Sequence, residues 1–198
     1  KDQLESGGYN AAMRKLKYIS VCPEYDKLDQ LKELYRISFP DCERKPFEMI
    51  QKGAAEKRME VLAVELDGQL CALCFSILSE NLVLLDYLAV DPAFQNQQIG
   101  GRVLEHLISR YEQPVLVEIE STLQNPDIPK QRRKAFYLSH GLKINPYEIE
   151  LFGVPMEILS TRPVSYEEYK ALQMSHLKVI FGSEAWKYLT KLQDLKEA

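Results

Sequence analysis

The chain has 198 residues, 45% of them hydrophobic and 27% charged, and a formal net charge of −4. That is globular composition for one compact domain with some extension, and its acidic balance argues against nucleic acid as a partner. No stretch of about 18 apolar residues reads as a membrane span and the start carries no signal-peptide core, so the cytoplasm is the default location and neither membrane nor nucleic acid is an expected partner.

Residues 1–12 read as an N-terminal tail and are set aside, with the domain over 13–160 and a further segment over 161–198. Lys15–Val21 reads as a short first strand. Leu28, Leu31, Leu34 and Tyr35 recur at helical spacing over Leu28–Ile37, and Phe39-Pro40-Asp41 stops that helix. Pro46 suits the first turn of a second helix running to about Lys57. The period then changes. Met59–Leu66 alternates, Asp67-Gly68 marks a hairpin, and Gln69–Leu78 is the return strand. After a turn at Glu80-Asn81, Leu82–Val90 is apolar on both faces apart from Asp86, as a central strand would be. Ile99–Tyr111 is a helix whose buried stripe is Ile99, Val103, Leu104, Leu107, Ile108 and Tyr111. Pro114–Ile119 is a strand that should lie parallel to Leu82–Val90. Asp127–His140 is a helix closed by Gly141. Tyr147–Phe152 and Met156–Ser160 form a hairpin around Gly153-Val154-Pro155. Pro163 breaks the chain, and Ser165–Leu195 reads as a helical extension. The order predicts an α/β (mixed α+β) fold. Its central mixed sheet joins an antiparallel meander to a βαβ crossover, with helices on both faces.

The four cysteines are Cys22, Cys42, Cys71 and Cys74. Cys71 and Cys74 have redox or zinc spacing, but they lie in a strand, where residues i and i+3 point to opposite faces. No second pair completes a zinc site, so they read as buried structural thiols.

The most informative segment is the loop from Gln95 to Arg102 (Gln-Asn-Gln-Gln-Ile-Gly-Gly-Arg), which follows the central strand and opens a helix. The first turn of a helix has unpaired N–H groups and a partial positive charge, and glycine lets an anion approach the backbone. Gly100 and Gly101 each cost a helix about 1 kcal/mol relative to alanine, which suggests that something must come close. The loop is neither a Walker P-loop nor a dinucleotide fingerprint. From Val90-Asp91-Pro92 to Gly101 the sequence resembles the acyl-CoA signature of the GNAT superfamily of N-acetyltransferases, Gln/Arg-x-x-Gly-x-Gly/Ala after a strand ending in Val-x-Pro. Here Gln98 stands where that pattern has its first glycine, so Gln98 must hold a conformation glycine accepts easily, or the loop shifts. A second segment, Arg132-Arg133-Lys134-Ala135-Phe136-Tyr137-Leu138-Ser139-His140-Gly141-Leu142, is similar to the family's A-x-x-F-Y-x-x-x-G-F motif. The resemblance covers roughly Lys15 to Ser160, is of bacterial type and leaves the acceptor unassigned.

The resemblance implies acetyl-CoA as co-substrate and no metal. Leu88, Ala89 and Val90 would offer backbone groups to the acyl and pantetheine chain. The amides of Gln95, Asn96, Gln97, Gln98, Ile99, Gly100 and Gly101 would hold the pyrophosphate, with Arg102 nearby. Tyr137 matches the family tyrosine beside the thioester sulfur and is the candidate general acid.

Acetyl transfer also needs a neutral amine, although an alkyl ammonium has a pKa near ~10.4. Asp86, Glu118 and Glu120 are the carboxylates able to take its proton directly or through water. Glu120, at the end of its strand where the parallel strands should splay, is preferred, with Asp86 as a second catalytic candidate and Glu118 as a substrate-binding one. Lys130, Arg132, Arg133 and Lys134 oppose the macrodipole of their helix, and Arg133 among them is a candidate contact to the CoA phosphates. His106, His140 and His176 are assigned to neither catalysis nor metal. Asp41, Glu43, Glu118 and Glu120 hint at a cationic small molecule or a lysine side chain as acceptor, and a homodimer stays open. The expected activity is direct transfer from acetyl-CoA to a primary amine in a ternary complex. The competing reading is a non-catalytic acyl-CoA-binding module on the same fold, and a third is an interaction protein that binds no CoA.

Overall fold

Two periods of apolar residues organise the chain: a period of two builds a sheet, and a period near 3.6 lays helices on it. A computed structural model describes residues 14–123 and 126–195. The expected tail over 1–12 lies outside them. The elements are β1 (Leu16–Ser20), α1 (Leu28–Ser38), α2 (Phe47–Ala55), β2 (Met59–Leu66), β3 (Gln69–Leu78), β4 (Val83–Val90), α3 (Ile99–Arg110), β5 (Val115–Glu120), α4 (Ile128–Ser139), β6 (Lys143–Leu151), β7 (Val154–Ser160), α5 (Tyr166–Phe181) and β8 (Leu189–Asp194), with 3-10 turns at Pro92–Phe94 and Gly182–Tyr188. The strands form one sheet in the order β1-β2-β3-β4-β5-β7-β6-β8. β4 and β5 pair parallel and every other neighbouring pair is antiparallel. The expected meander and crossover are both present.

Each face of the sheet carries its own core. On one face Leu31, Leu34 and Tyr35 of α1, Ile50 of α2 and Tyr169, Leu172 and Leu177 of α5 pack on Leu73, Phe75 and Ile77. On the other, α3 lays Ile99, Val103, Leu104 and Leu107 over Val64, Cys74, Val83, Val115 and Val117. Those four α3 side chains are at most 2% exposed, and burying each stabilises the fold by about 1.5–3 kcal/mol.

Three expectations need correction. Pro46 is the residue before α2 rather than its first helical residue, and that helix stops at Ala55. Cys71 and Cys74 are free and fully buried, yet they share the cluster under α3 instead of facing opposite ways. The register of β2 against β3 shifts at Val64/Glu65, leaving Cys71 as an extra residue, and such a bulge interrupts strict alternation.

The third correction concerns the C-terminal segment, which is not helical to Leu195. Ser165 and Glu168 close a capping box at its start. Gly182, at φ 55°, ends α5, a backbone conformation that costs glycine little. β8 then pairs antiparallel with β6, from Tyr147↔Asp194 to Leu151↔Leu189, so this segment extends the central sheet. β8 buries only Leu189, which is why its period of two is invisible in the sequence.

Candidate active site

The site begins where β4 and β5 part. They pair only at Val83↔Val115, Leu84↔Leu116 and Leu85↔Val117. Beyond that, β5 continues along β7 to Glu120↔Met156, while β4 follows β3 to Val90↔Ala72. The register shift between Phe75 and Ser76 leaves Asp86 as an extra residue on β4, a bulge that bends the strand where the opening starts. The β5-facing edge of β4 at Leu88, Ala89 and Val90 therefore has no ladder partner. This opening joins a cavity of about 730 Å³ walled by β4, β5, the α1–α2 loop, the β6–β7 hairpin and α5.

At the far end of β4, Asp91 Oδ1 accepts a hydrogen bond from Ala93 N at 2.8 Å and starts the 3-10 turn. The chain then passes through left-handed backbone at Asn96 (φ 62°) and Gln98 (φ 59°, ψ 15°) before α3 begins. Gln98 thus adopts the conformation that glycine would hold more cheaply, and the loop closes onto the helix without it. The first bond of α3 runs from Arg102 N to Gln98 O at 3.2 Å, so the amides of Ile99, Gly100 and Gly101 precede the ladder and remain available to an anion.

The two glycines have different reasons. A Cβ on Gly101 would lie 2.5 Å from His140 Nε2, so at this position the close neighbour is the protein's own imidazole. His140 Nδ1 sits 2.7 Å from the Phe136 carbonyl oxygen and must donate to it, which pins the ring. A Cβ on Gly100 would meet only Val90 at 3.6 Å and Phe136 at 3.8 Å, ordinary contacts, so nothing in the chain requires glycine there. Arg102 Nη2 donates to the Arg14 carbonyl at 2.8 Å, and Arg14 in turn donates to Gln97 Oε1 at 3.2 Å, so Arg102 faces β1 as well as the loop.

Tyr137 lies on the α4 side of the opening and lines the same cavity as Leu88, Ala89 and Arg133. Burial pushes its hydroxyl up to about 12, against the pull of the Arg133 guanidinium, so it keeps its proton at neutral pH. The basic cluster divides. Lys134 Nζ meets the buried Glu157 at 2.6 Å and Thr122 Oγ1 at 3.1 Å, and Lys130 Nζ lies 3.2 Å from Glu120. These two lysines are explained by acidic partners on β7 and β5, leaving Arg133 facing the cavity.

The three candidate carboxylates are brought together along the cavity, each already engaged. Asp86 accepts from Lys45 Nζ at 2.7 Å and 2.8 Å. Glu120 is paired with Lys130. Glu118 accepts hydrogen bonds from Tyr169 Oη at 2.6 Å and from Gln173 Nε2. Burial raises the pKa of Glu118 despite those two donors.

The last contacts expose what sequence reasoning missed. Tyr169, Gln173 and His176 sit at i, i+4 and i+7 on α5, one helical face, and this face closes the cavity. The spacing was present in the sequence, but reading 161–198 as an extension hid it. His176 is 7% exposed, and its Nε2 has no hydrogen-bond partner among the described residues. Burial and the Lys45 charge push its pKa down to about 4, so the imidazole is neutral near pH 7.

Among the described residues no group of three or more His, Cys, Asp or Glu is arranged to hold a metal, and no helix is long and apolar enough to cross a membrane. Comparison with known proteins points the same way as the opening. Residues 57–143 match the model of the acetyltransferase (GNAT) domain, which spans β2 to the start of β6. Solved structures share the fold at low identity. A GNAT-family chain from Bacteroides thetaiotaomicron aligns at TM-score 0.69 and 18% identity over 84% of this chain and 98% of its own. A GNAT acetyltransferase from Elizabethkingia anophelis with acetyl-CoA bound aligns at 0.56 and 14% over 74% and 97%. Naa50 of Arabidopsis thaliana, in complex with the bisubstrate analogue CoA-Ac-MVNAL, aligns at 0.56 and 15% over 74% and 98%. No curated protein matches the chain significantly.

Proposed function

We infer that this chain, which carries a GNAT acetyltransferase domain over residues 57–143, is an acyl-CoA-dependent enzyme that moves an acetyl group from acetyl-CoA to a primary amine by direct attack in a ternary complex. The observation that carries this reading is the opening between β4 and β5, whose free edge at Leu88 and Ala89 shares a cavity with Tyr137, Arg133 and the carboxylates Asp86, Glu118 and Glu120, while Val90 at the end of the same strand lies beside Gly100 of α3.

The residues fit such a co-substrate. Among the described residues a Cβ at Gly100 would meet only ordinary contacts with Val90 and Phe136, so packing does not account for glycine there, and Gln98 supplies the turn in left-handed backbone. In this reading the amides of the 95–101 loop hold the pyrophosphate and the free edge of Leu88–Val90 binds the pantetheine chain. Arg133 brings positive charge to the same channel. Acetyl-CoA supplies the acetyl group. The neutral amine forms the new C–N bond at the acyl carbon as the C–S bond breaks. Tyr137, protonated throughout the working range, donates its proton to the departing sulfur. The proton lost by the amine passes to Glu120, directly or through water, while Asp86 stays locked to Lys45 and holds negative charge at the entry to the opening. The acceptor, small molecule or peptide, enters from the α5 side. The left-handed Gln98 also weakens the case for a non-catalytic module, since the departure from glycine is absorbed by the backbone.

The test is thermal unfolding of the full chain with and without acetyl-CoA, followed by release of free thiol in the presence of amines. At about 100 times Kd, binding adds about 2.7 kcal/mol, a rise of roughly 5–11 °C for a chain of this size. No rise at millimolar acetyl-CoA refutes the reading, and binding without thiol release from any amine leaves the non-catalytic module in its place.

A further inference from the structure

The cavity lining mixes carboxylates, cations and apolar side chains, and its charges are unequally paired. Arg44 is paired with Asp41, Lys45 with Asp86, and Glu120 with Lys130. Arg133 stands beside Tyr137 on α4, whose aromatic residues pack on the opposite face of the sheet from α5. Glu43, exposed on the α1–α2 loop, and Glu118, on β5, line the same cavity without a cationic partner among the described residues. Glu118 is anchored through one oxygen only: Tyr169 Oη, at 2.6 Å, and Gln173 Nε2 both donate to Oε1. Its Oε2 accepts nothing from the described residues and, unlike His176 Nε2, is not shut away from solvent. Such a carboxylate is fixed in position and still has a free acceptor. Charges set this deep are normally paired, and burial raises the pKa of this one, so a cation at Oε2 relieves a cost that the fold alone leaves standing.

We propose that the acceptor is a short aliphatic diamine, with one nitrogen reacting beside Glu120 and the other bound as an ammonium by Glu118 Oε2. This deepens the acetyltransferase reading and rests on it. Glu118 and Glu120 are two apart on β5, whose register against β7 is unbroken from Leu116 to Glu120. Both side chains therefore leave the same face, about 6.6 Å apart along the strand. A saturated chain advances roughly 1.1–1.2 Å per bond, so about four carbons between two nitrogens cover that step. Met156, opposite Glu120 on β7, and Leu177 of α5 line the cavity and give the methylenes an apolar wall. Glu43 at the mouth adds negative charge on the path inward. The nitrogen at Glu120 loses its proton and takes the acetyl group, while the nitrogen at Glu118 keeps its proton throughout.

The experiment uses the full chain with 1,4-diaminobutane and with 1-aminopentane, which carries a methyl group in place of the second ammonium. By thiol release from acetyl-CoA, kcat/KM for the diamine should exceed that for the monoamine by about tenfold or more. Glu118→Gln should bring that ratio below about threefold, with the loss in KM rather than in kcat. A purely structural role for Glu118 would slow both amines alike and keep the ratio. Thermal unfolding of the unaltered chain with each amine and no acetyl-CoA reads binding without turnover, and the diamine should raise Tm more than the monoamine. That measurement decides even where the Glu118 variant fails to fold. A ratio near one in the unaltered chain, an undiminished ratio in Glu118→Gln, or equal Tm shifts with the two amines each overturns the inference. Absence of any acetyl-CoA shift instead overturns the transferase reading, and the amine shifts still decide whether the cavity takes a diamine.

Discussion

Replacing Gly100 and Gly101 by alanine, one at a time, separates the two reasons for glycine at the start of α3. Both sit in a helix, where alanine is favoured by about 1 kcal/mol. At Gly100 the added methyl makes only ordinary contacts, 3.6 Å to Val90 and 3.8 Å to Phe136. The variant should keep the propensity gain and raise Tm by roughly 2–4 °C. At Gly101 the methyl would overlap His140 Nε2 at 2.5 Å. That ring is held by the Phe136 carbonyl and packs on the Phe136 ring at 4.6 Å, so it cannot swing away freely. Overpacking of this kind costs about 1–3 kcal/mol, which cancels or exceeds the gain. Binding should invert the order of interest: if the loop amides hold the pyrophosphate as proposed, the methyl of Gly100→Ala crowds them and should weaken acetyl-CoA by about tenfold or more, ~1.4 kcal/mol. Thermal unfolding and titration calorimetry on the same two proteins read both quantities. Undiminished acetyl-CoA affinity in Gly100→Ala would remove the anion role of this loop. Equal stabilisation by both alanines would refute the packing account of Gly101.

Tyr137→Phe should lower kcat by about 10²–10⁴-fold, the range of general acid catalysis, with acetyl-CoA affinity kept; unchanged turnover means that the thiolate leaves without this proton. His176, pushed down to about 4 in the fold by burial, binds fewer protons there than when unfolded, so stability should fall as pH drops from about 6.5 towards 4. At about pH 5 the loss is ~2 kcal/mol, and His176→Leu should flatten this part of the Tm-against-pH curve; an acid limb unchanged in that variant assigns it to other groups. Lys134→Met strands the buried Glu157 with only Thr122 for support and should destabilise by ~3 kcal/mol, while Lys134→Met with Glu157→Gln recovers part of that in denaturant unfolding. No recovery in the double variant would mean that Lys134 acts through packing of its stem rather than its charge.

The periods of the sequence carried most of the architecture. Alternation over 59–90 and the Asp67-Gly68 turn specified the meander, because a half-buried or buried strand must place apolar groups two apart. The stripe from Ile99 to Leu107 specified α3 in the same way. The loop into α3 was legible in part: the sequence left Gln98 either holding a glycine-like conformation or shifting the loop, and it takes the first course at φ 59°. Other features depend on partners distant in the chain, and no local pattern encodes those. Lys134 finds Glu157, and Gly101 finds His140, only after the elements dock. Cys71 leaves alternation because β2 and β3 slip by one residue. β8 exists as a strand because the edge of β6 was open to pair with it. The cavity wall was decided last: α5 folds over β4 and β5 and brings Tyr169 and Gln173 to Glu118, with His176 lining the same cavity. Sequence by itself determined the elements up to α5, the sheet meander and the backbone turn into α3, which are local or near-local consequences of hydrophobic period and turn chemistry. Only the tertiary structure decided which charges are neutralised and what walls the cavity, because burial and pairing are properties of the assembled fold rather than of any segment.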